Sequence, residues 1–452
     1  MREGHVIEPP TPPARAVRRR AVPPPVATWL ALVAFLLIAA VLAYRTAHKL
    51  APTAHPDAWA MTDFRDTIYY PAVAFLAGRN PYDPSFAVSY PVQRPLPPYG
   101  PLIVLLHLPL ALLPVGAAEA TYFVVTLALT LAVAGLALRA GDHEAAPWAV
   151  LALGFLILAS RPGHQNLLLG QCTLEVVLGV YLAFVFARDR PFLAALGVAV
   201  TTMKPQFALP LVLMLLVSGE RVVVAVGLIL AAVLSLAALL VGGGAAGLSS
   251  WRGALARTGD AATGDSFMWY LRIDLGYLAR QIAHLTGGGA IDLIAAALVL
   301  VVGAVAVRRA RVPGAALAAS PLAVTAACLT VLVSMYHLTY DALLLTLPIV
   351  ALARARAAGI TSPATRVVLL ALLLVPAVNY LATESVIRAL DLQGGWWLLV
   401  TGANGIALLA ALLVSAAATP GSRSSDARRD SSPGDSRRAR RDGPCPRRSR
   451  SR

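Results

Sequence analysis

Long apolar runs separated by short polar segments make up most of the chain. A helix needs about 20 apolar residues to cross the hydrocarbon core of a membrane, and most of these runs are near that length. The runs cover residues 26–44, 118–138, 146–160, 168–187, 191–218, 221–242, 289–307, 314–334, 339–354, 364–382 and 396–415. The pattern predicts an all-α polytopic membrane protein with roughly 10–13 transmembrane helices.

Two apolar segments depart from the length of a single span. Residues 101–114 are short and bounded by prolines, which favours a re-entrant or interfacial helix. Residues 191–218 are too long for one span and contain Lys204-Pro205-Gln206. Proline removes a backbone donor and disfavours helix in the preceding residue, so this segment predicts either a hairpin of two short helices or one broken helix.

The polar stretches divide the chain into a membrane domain with two tails. Residues 1–25 are basic and proline-rich, and residues 416–452 hold eleven arginines against four aspartates. Both tails are expected to be disordered and cytoplasmic, around a transmembrane domain at 26–415. That domain contains a large first external loop at 45–100 and a second long loop at 243–288 that lies partly on the membrane surface.

The low content and uneven distribution of charged residues agree with a membrane protein. Only 13% of residues are charged, against roughly 25% in soluble domains, and a soluble enzyme is therefore disfavoured. About half of the net charge of +15 lies in the C-terminal tail, where it suits lipid headgroups rather than a nucleic acid. The remaining arginine clusters fall at one end of the spans and the varied polar segments at the other, as the positive-inside rule expects.

The first external loop contains two carboxylates that suit acid–base chemistry. Asp63 and Asp66 are three residues apart, directly outside the first span. Either side chain could act as the general base on an acceptor hydroxyl. The alternative is that both are solvated loop charges, one of them capping the following helix.

Several aromatic and amide side chains have the chemistry to contact a sugar. They are Tyr70, Asn80, Tyr82, Asn166, Gln171 and Tyr336. Asn80 and Tyr82 belong to a turn-rich segment, so a purely structural turn is the alternative there. Asn166 and Gln171 would equally serve as hydrogen-bonded bridges between helices.

Three basic side chains near apolar helices are candidate phosphate ligands. Lys204 is one of only two lysines and lies at the predicted helix break, where an ammonium needs an anionic partner. Arg161 and His337 occur in polar interruptions at the same predicted end. The alternatives are an ion pair of Lys204 with Glu175, snorkelling to the interface, and a structural role for His337.

The order of these motifs resembles glycosyltransferase family 87. The matching pieces are Asp63-Phe64, Tyr69 to Ala72, Gly78 to Pro84, Pro97 to Leu102, Asn166 to Gln171, Lys204-Pro205 and Ser334 to His337. The resemblance implies a GT-C membrane fold and an inverting, metal-independent transfer with no cofactor. The donor would be a polyprenyl-phosphate sugar and the acceptor a glycan or glycolipid. The family's catalytic acid falls on Asp63, with Asp66 as rival, while Tyr336 departs from the family's usual aromatic residue.

The sequence therefore predicts an integral-membrane glycosyltransferase whose site faces the extracytoplasmic side of the cell membrane. A transporter or flippase of lipid-linked sugars is the main alternative, and it should contain internal repeats with broken helices in matching halves. Only one clear helix break is evident, and the large first loop favours an enzyme. A phosphotransferase or ligase acting on lipid-linked glycans is a third interpretation, which needs no base in that loop.

Overall fold

A computed structural model describes residues 25–50, 60–93, 99–140, 145–263, 271–283, 289–355 and 362–418. Within these ranges the regular structure is helical, and one isolated antiparallel bridge joins Arg272 to Leu338. The chain is thus an all-α polytopic membrane protein, as its apolar pattern predicts. Nearly all of the two predicted disordered tails lies outside the described residues.

The helices follow one another with short connections. The first part of the chain forms α1 (Pro25–Leu50), α2 (Thr62–Phe64), α3 (Tyr70–Leu76), α4 (Phe86–Ser89), α5 (Leu102–Leu106), α6 (Leu108–Ala111) and α7 (Val115–Arg139), with a π-helical turn at Arg65–Tyr69. The middle part forms α8 (Pro147–Ala159), α9 (Arg161–Leu169), α10 (Thr173–Phe186), α11 (Pro191–Thr201), α12 (Pro205–Ser218), α13 (Arg221–Gly243) and α14 (Gly247–Thr263).

The last part of the chain also consists of helices that follow one another. It forms α15 (Leu275–Ala283), α16 (Gly289–Ala310), α17 (Pro321–Ser334), α18 (Thr346–Arg354), α19 (Pro363–Val378), α20 (Glu384–Ala389) and α21 (Gly394–Ala418). Short 3₁₀ turns lie at Gly244–Ala246, Leu317–Ala319, Thr339–Leu345 and Tyr380–Ala382.

Only some of the apolar helices have the length of a full membrane span. In the described residues six helical segments qualify by length and hydropathy, at Pro25–Leu50, Val115–Arg139, Arg221–Arg257, Gly289–Ala310, Pro363–Ala382 and Gly394–Ala418. Five further apolar helices have 10–17 residues, namely α8, α10, α11, α12 and α17. A helix rises about 1.5 Å per residue, so the short helices cannot cross the whole hydrocarbon core by themselves.

Both irregular apolar segments behave as predicted. Residues 101–114 form the short helices α5 and α6 rather than a span. Residues 191–218 form the hairpin of α11 and α12, with Lys204 in extended backbone directly before Pro205. Proline at the first helical position leaves no backbone donor unsatisfied, which is why α12 begins there.

Four predicted boundaries are wrong, each for a local reason. The span placed at 168–187 begins only at Thr173, because Gly170 adopts a left-handed conformation (φ 68°) that ends α9. The span placed at 314–334 begins at Pro321, where the Ser320 hydroxyl caps the helix. Residues 339–345 are 3₁₀ rather than α-helical, and the loop placed at 243–288 contains α14 and α15.

Close glycine contacts hold the central helices together. A Cβ on Gly197 of α11 would lie 2.4 Å from the carbonyl oxygen of Gly179 in α10. A Cβ on Gly227 of α13 would lie 2.7 Å from the carbonyl oxygen of Ala195 in α11. Small residues let helix backbones approach closely, so α10, α11 and α13 form one tightly packed layer.

Contacts between helix ends show which connections between helices lie together at the same end of the protein. At one end, Arg354 donates to the Leu138 carbonyl at 2.7 Å and Arg311 donates to the Ser218 carbonyl at 2.8 Å. Arg188 pairs with Glu220 at the same end. The connections after α9, α11 and α17 meet at the other end, where most of the candidate site residues lie.

Candidate functional site

Asp63 lies at the start of α2, fully buried and tied to α9. Met61 precedes it with a positive φ of 56°, and its backbone N–H donates to the Leu168 carbonyl at 2.8 Å. The Gln171 side-chain amide donates to the Asp63 carboxylate, and the Tyr99 hydroxyl donates to Gln171 Oε1 at 2.7 Å. These contacts bring the predicted base and one predicted sugar ligand together.

Lys204 occupies the break between α11 and α12 and is 1% exposed. Its Nζ donates to Thr173 Oγ1 at 2.7 Å and to Asp341 Oδ1 at 3.0 Å. It also lies 5.4 Å from the centroid of the Tyr99 ring and 4.9 Å from that of Tyr340. Because an ammonium is attracted to aromatic faces as well as to carboxylates, this lysine is held from several sides.

His337 shares the carboxylate that neutralises Lys204. Its Nδ1 lies 3.0 Å from Asp341 Oδ2, and its ring meets the Phe207 ring edge-on at 4.5 Å. The Leu338 backbone N–H also donates to Asp341 Oδ2, at 3.2 Å. Asp341 therefore fixes a lysine and a histidine in one position.

These residues form one buried group, which we call the Asp63–Lys204 cluster. Its members are Asp63, Tyr99, Gln171, Thr173, Lys204, His337 and Asp341. They come from α2, from the segment before α5, from the start of α10 and from the connections after α9, α11 and α17. Asp63 is linked through Gln171 to Tyr99, and Lys204 lies over the Tyr99 ring. A carboxylate has the chemistry to bind a hydroxyl group and an ammonium that to bind an anion.

Glu175 does not contact Lys204, which corrects the pairing considered for it. Its Oε1 lies 3.0 Å from His107 Nε2 and accepts from the Tyr122 hydroxyl at 3.0 Å. The Tyr122 ring stacks on Phe64, next to Asp63, at 4.7 Å. Glu175 therefore belongs to the packing that supports α2, in the first turn of α10.

The hydrogen bonds described next join Asp66 and Arg161 to residues outside the Asp63–Lys204 cluster. Both carboxylate oxygens of Asp66 accept from the Gln93 backbone N–H at 3.2 Å, which ties the first external loop to its own helix. Arg161 is 3% exposed and donates to the backbone carbonyls of Asn379 at 2.8 Å and Ala382 at 2.5 Å. The structure thus places Asp66 as a loop anchor and Arg161 as a clamp on the end of α19.

The remaining predicted sugar ligands are spread around the cluster. Tyr70 is half-buried and packs between Tyr69 and Tyr90. Asn80 accepts from the Tyr82 backbone N–H at 3.0 Å, and the buried Tyr82 hydroxyl donates to the Tyr99 carbonyl at 3.3 Å.

Tyr336 and Asn166 are the last two predicted sugar ligands, and the structure gives each of them other surroundings. The Tyr336 ring lies under the Arg272 guanidinium, 4.9 Å away, and Arg272 makes a bidentate pair with Asp274. Asn166 is fully buried, and within the described residues neither its Oδ1 nor its Nδ2 has a hydrogen-bond partner. It lies one turn before Leu169, which packs against Leu338 and Tyr340, and the predicted helix bridge is not formed.

Three members of the cluster are absent from the residues predicted by sequence. Asp341 follows His337 by four residues, a spacing that places both on one helical face and could have indicated a pair. Thr173 follows Gln171 by two residues at the start of α10. Tyr99 gave no signal beyond its position in an aromatic, proline-rich loop.

The geometry can be compared with known proteins. A sequence model described as glycosyltransferase family 87 matches residues 98–336. The match includes Tyr99, Gln171, Thr173 and Lys204, begins after Asp63 and ends one residue before His337. No curated protein and no solved structure matches the chain. In the ranges that the structure describes, no group of three or more His, Cys, Asp or Glu side chains is arranged to hold a metal ion.

Proposed function

The chain belongs to glycosyltransferase family 87, and we propose that it moves a sugar from a polyprenyl-phosphate donor to a glycan or glycolipid acceptor of the cell envelope. It is a glycosyltransferase with membrane-spanning helices. Mannose or a pentose is the proposed sugar. The family match favours this function over the transporter of lipid-linked sugars.

The Asp63–Lys204 cluster is the observation that carries the proposal. In the proposed step the acceptor hydroxyl oxygen attacks the anomeric carbon of the sugar, while the Asp63 carboxylate takes the hydroxyl proton. The bond between the anomeric carbon and the phosphate oxygen breaks at the same time. The lipid phosphate leaves with an additional negative charge, and the product has an inverted anomeric centre.

Lys204 is the proposed ligand of the departing phosphate. An ammonium carries three N–H donors, and Thr173 and Asp341 accept two of them at 2.7 and 3.0 Å. The third donor supplies charge stabilisation where the phosphate charge develops. His337, held on the other oxygen of Asp341, is the proposed second phosphate ligand. No metal ion or cofactor is required by this scheme, and only lipid and sugar substrates are expected as partners, not nucleic acid.

The depth of the cluster suits a donor that is itself a lipid. Thr173 begins α10 (14 residues), and Lys204 lies between α11 (11 residues) and α12 (14 residues). At about 1.5 Å per residue these helices measure roughly 17–21 Å, against about 30 Å for the hydrocarbon core. With their other ends level with those of the longer helices, their ends at the cluster would lie within the hydrocarbon core, where a lipid-borne phosphate can arrive from the bilayer.

The cluster is proposed to face the extracytoplasmic side of the cell membrane. The opposite helix ends carry Arg188, Arg311 and Arg354, and cytoplasmic segments of membrane proteins are enriched in arginine and lysine. The external end then contains the first loop and the connections that bear Lys204 and His337.

The experiment that tests this function compares sugar transfer by purified protein in lipid nanodiscs. Polyprenyl-phosphate mannose and polyprenyl-phosphate pentose are offered as radiolabelled donors, with extracted envelope glycolipids as acceptors. General-base removal typically lowers rates by about 10²–10⁴-fold, and we expect a loss of that size in Asp63→Asn. Lys204→Met is expected to lose transfer as well.

Asp66→Asn is the matched control, because its amide oxygen can still accept from the Gln93 N–H. It is expected to retain most of the activity. Full transfer by Asp63→Asn, together with loss in Asp66→Asn, would assign the base to Asp66 instead. Absence of transfer from every lipid-phosphate donor by the wild type would contradict the proposed donor class.

A further inference from the structure

An open polar cleft lies beside the first external loop, outside the Asp63–Lys204 cluster. Its volume is about 340 Å³, within the range of small-molecule sites. The side chains that line it and matter here are Arg79, Asn80, Asp83, Phe86, Ser89 and Tyr90. A guanidinium, an amide, a carboxylate, a hydroxyl and two aromatic rings therefore surround one space.

Internal hydrogen bonds fix the shape of this cleft without a ligand. Asp83 Oδ1 accepts from the Ser85 backbone N–H at 2.8 Å and from the Ser85 hydroxyl at 2.7 Å. Asn80 Oδ1 accepts from the Tyr82 N–H at 3.0 Å. Tyr82 lies behind this lining, is 2% exposed and donates through its hydroxyl to the Tyr99 carbonyl, so Asn80 is linked through Tyr82 to a member of the cluster. Preformed sites of this kind lose little entropy when a ligand binds.

A continuous row of aromatic rings runs from the cleft toward the proposed base. Phe86 and Tyr90 have ring centroids 5.1 Å apart, and Tyr90 lies 6.0 Å from Tyr70. Tyr70 lies 5.2 Å from Tyr69, and Tyr69 lies 5.9 Å from Phe64. Phe64 directly follows Asp63 in sequence. The row therefore gives the cleft a direct structural connection to Asp63.

We propose that this cleft binds the acceptor glycan, as a subsite for neutral sugar rings one or more residues away from the hydroxyl that is glycosylated. The inference rests on the proposed function and names where its acceptor binds. The exposed part of Tyr90 offers an apolar face for the C–H side of a sugar ring. Arg79, Asp83 and Ser89 offer donors and acceptors for its hydroxyl groups.

The charges of the cleft favour a neutral, hydroxyl-rich ligand over an anionic one. The two hydrogen bonds from Ser85 hold the pKa of the Asp83 carboxyl below its usual range, and a further lowering comes from the nearby Arg257. Asp83 is therefore a carboxylate at neutral and mildly acidic pH, where it accepts hydrogen bonds from hydroxyl groups. The lining contains one guanidinium, Arg79, and one carboxylate, Asp83, so it holds no excess positive charge that would select an anionic ligand.

Equilibrium binding tests the cleft independently of catalysis. Purified wild type in nanodiscs is titrated with radiolabelled neutral oligosaccharides of two to four mannose or pentofuranose residues, and so are Tyr90→Ala and Asp83→Ala. Tyr44→Ala and Asp189→Asn are the matched controls, because both are exposed and lie outside the cleft. We expect the cleft variants to weaken binding of the preferred oligosaccharide about 5- to 20-fold, which corresponds to about 1–1.8 kcal/mol, and the controls to bind as the wild type does.

Transfer kinetics provide the second measurement. Both cleft variants are expected to raise the KM for the acceptor by a similar factor, with the KM for the lipid-phosphate donor unchanged. Equal binding by wild type and cleft variants, or no binding by any of them, would overturn the cleft proposal even if transfer is normal. Normal cleft-dependent binding with no transfer from any lipid-phosphate donor would instead overturn the proposed donor and leave the subsite standing. Thermal unfolding of each variant identifies one that fails to fold, in which case the other variant decides.

Discussion

Asp341 has the greatest influence on the charge of the site. It lies between Lys204 and His337, with all three side chains at most 3% exposed. An ammonium without a partner is costly to bury, so the Asp341 carboxylate offsets that cost and holds Lys204 in place. Asp341 would thus position Lys204, the proposed ligand of the departing phosphate, without contacting the phosphate itself.

A double substitution separates this positioning role from stability. Asp341→Leu alone leaves a buried ammonium without its carboxylate, and removal of one partner of a buried pair costs about 3–5 kcal/mol. Lys204→Met combined with Asp341→Leu is expected to regain much of that stability, because neither partner of the ion pair is then left buried alone. Chemical unfolding in detergent measures the stability, and radiolabelled transfer measures the activity. A stable double variant that transfers sugar at the wild-type rate would show that the pair is structural only.

Alanine substitutions at Gly170 and Gly78 distinguish the cost of a left-handed backbone from the cost of steric overlap by the added Cβ. Both have a φ of 68°. A Cβ on Gly170 would lie 2.6 Å from Phe64 Cβ, next to Asp63, whereas one on Gly78 would meet no atom within 4 Å. A left-handed non-glycine residue costs about 1–2 kcal/mol, so Gly78→Ala should lose about that much stability.

Gly170→Ala is expected to lose more stability than Gly78→Ala and to displace Asp63. The measurement is the transfer rate at saturating donor, together with thermal unfolding. We expect a loss of at least 10-fold in rate for Gly170→Ala, because small misplacements of a catalytic group are costly, and a near-normal rate for Gly78→Ala. Equal rates for the two variants would show that the contact between Gly170 and Phe64 does not position the base.

Sequence reasoning identified the residues whose chemistry conflicts with their surroundings. Gln171, Lys204 and His337 are polar groups in or beside apolar segments, and the structure brings them together with Asp63. Arg161 gave the same signal but binds the carbonyls at the end of α19. The sequence could not separate these cases, because the difference lies in which distant backbone each side chain reaches.

At the scale of helices, local signals predicted the break at Lys204-Pro205 but misplaced other boundaries. The break follows from the covalent geometry of proline, which acts wherever the residue occurs. The start of α10 at Thr173 depends on Gly170 being left-handed, and that conformation suits the close approach of Phe64. Apolar periodicity contains no information about such a tertiary contact.

The close packing of α10 against α11 predicts a sensitive position far from the cluster. A Cβ on Gly197 would lie 2.4 Å from a backbone oxygen that cannot move independently, whereas one on Gly116 at the start of α7 would meet nothing within 4 Å. Overpacking typically costs about 1–3 kcal/mol, so Gly197→Ala should lower the unfolding free energy by about that amount, and Gly116→Ala should not.

Transfer should fall in Gly197→Ala as well, because α11 leads directly to the connection that holds Lys204. Unfolding in detergent and the transfer rate are measured on the same preparation. Unchanged stability in Gly197→Ala would mean that α10 and α11 can separate without cost, against the packing described above.

For the whole molecule, the distribution of arginines predicted which segments share an end. Contacts such as Arg311 with Ser218 and Arg188 with Glu220 confirm that these arginine-bearing connections meet. The meeting of Asp63 with Gln171 and of Lys204 with Asp341 could not be predicted in the same way. Those contacts depend on how the helices are arranged around each other, and a hydropathy pattern does not specify that arrangement.

Cysteine labelling tests the proposed orientation of the two ends. Val88 in α4 is 90% exposed at the cluster end, and Asp189 is exposed at the arginine end. Val88→Cys and Asp189→Cys are each introduced together with Cys445→Ser, since the remaining Cys172 and Cys328 are buried and should not react. A membrane-impermeant maleimide added to intact cells should label Val88→Cys only, because the cluster is proposed to face outward. Permeabilised cells should label both variants, which controls for reactivity. Labelling of Asp189→Cys in intact cells would place the arginine end outside and would require the lipid-phosphate donor to be used from the cytoplasmic leaflet.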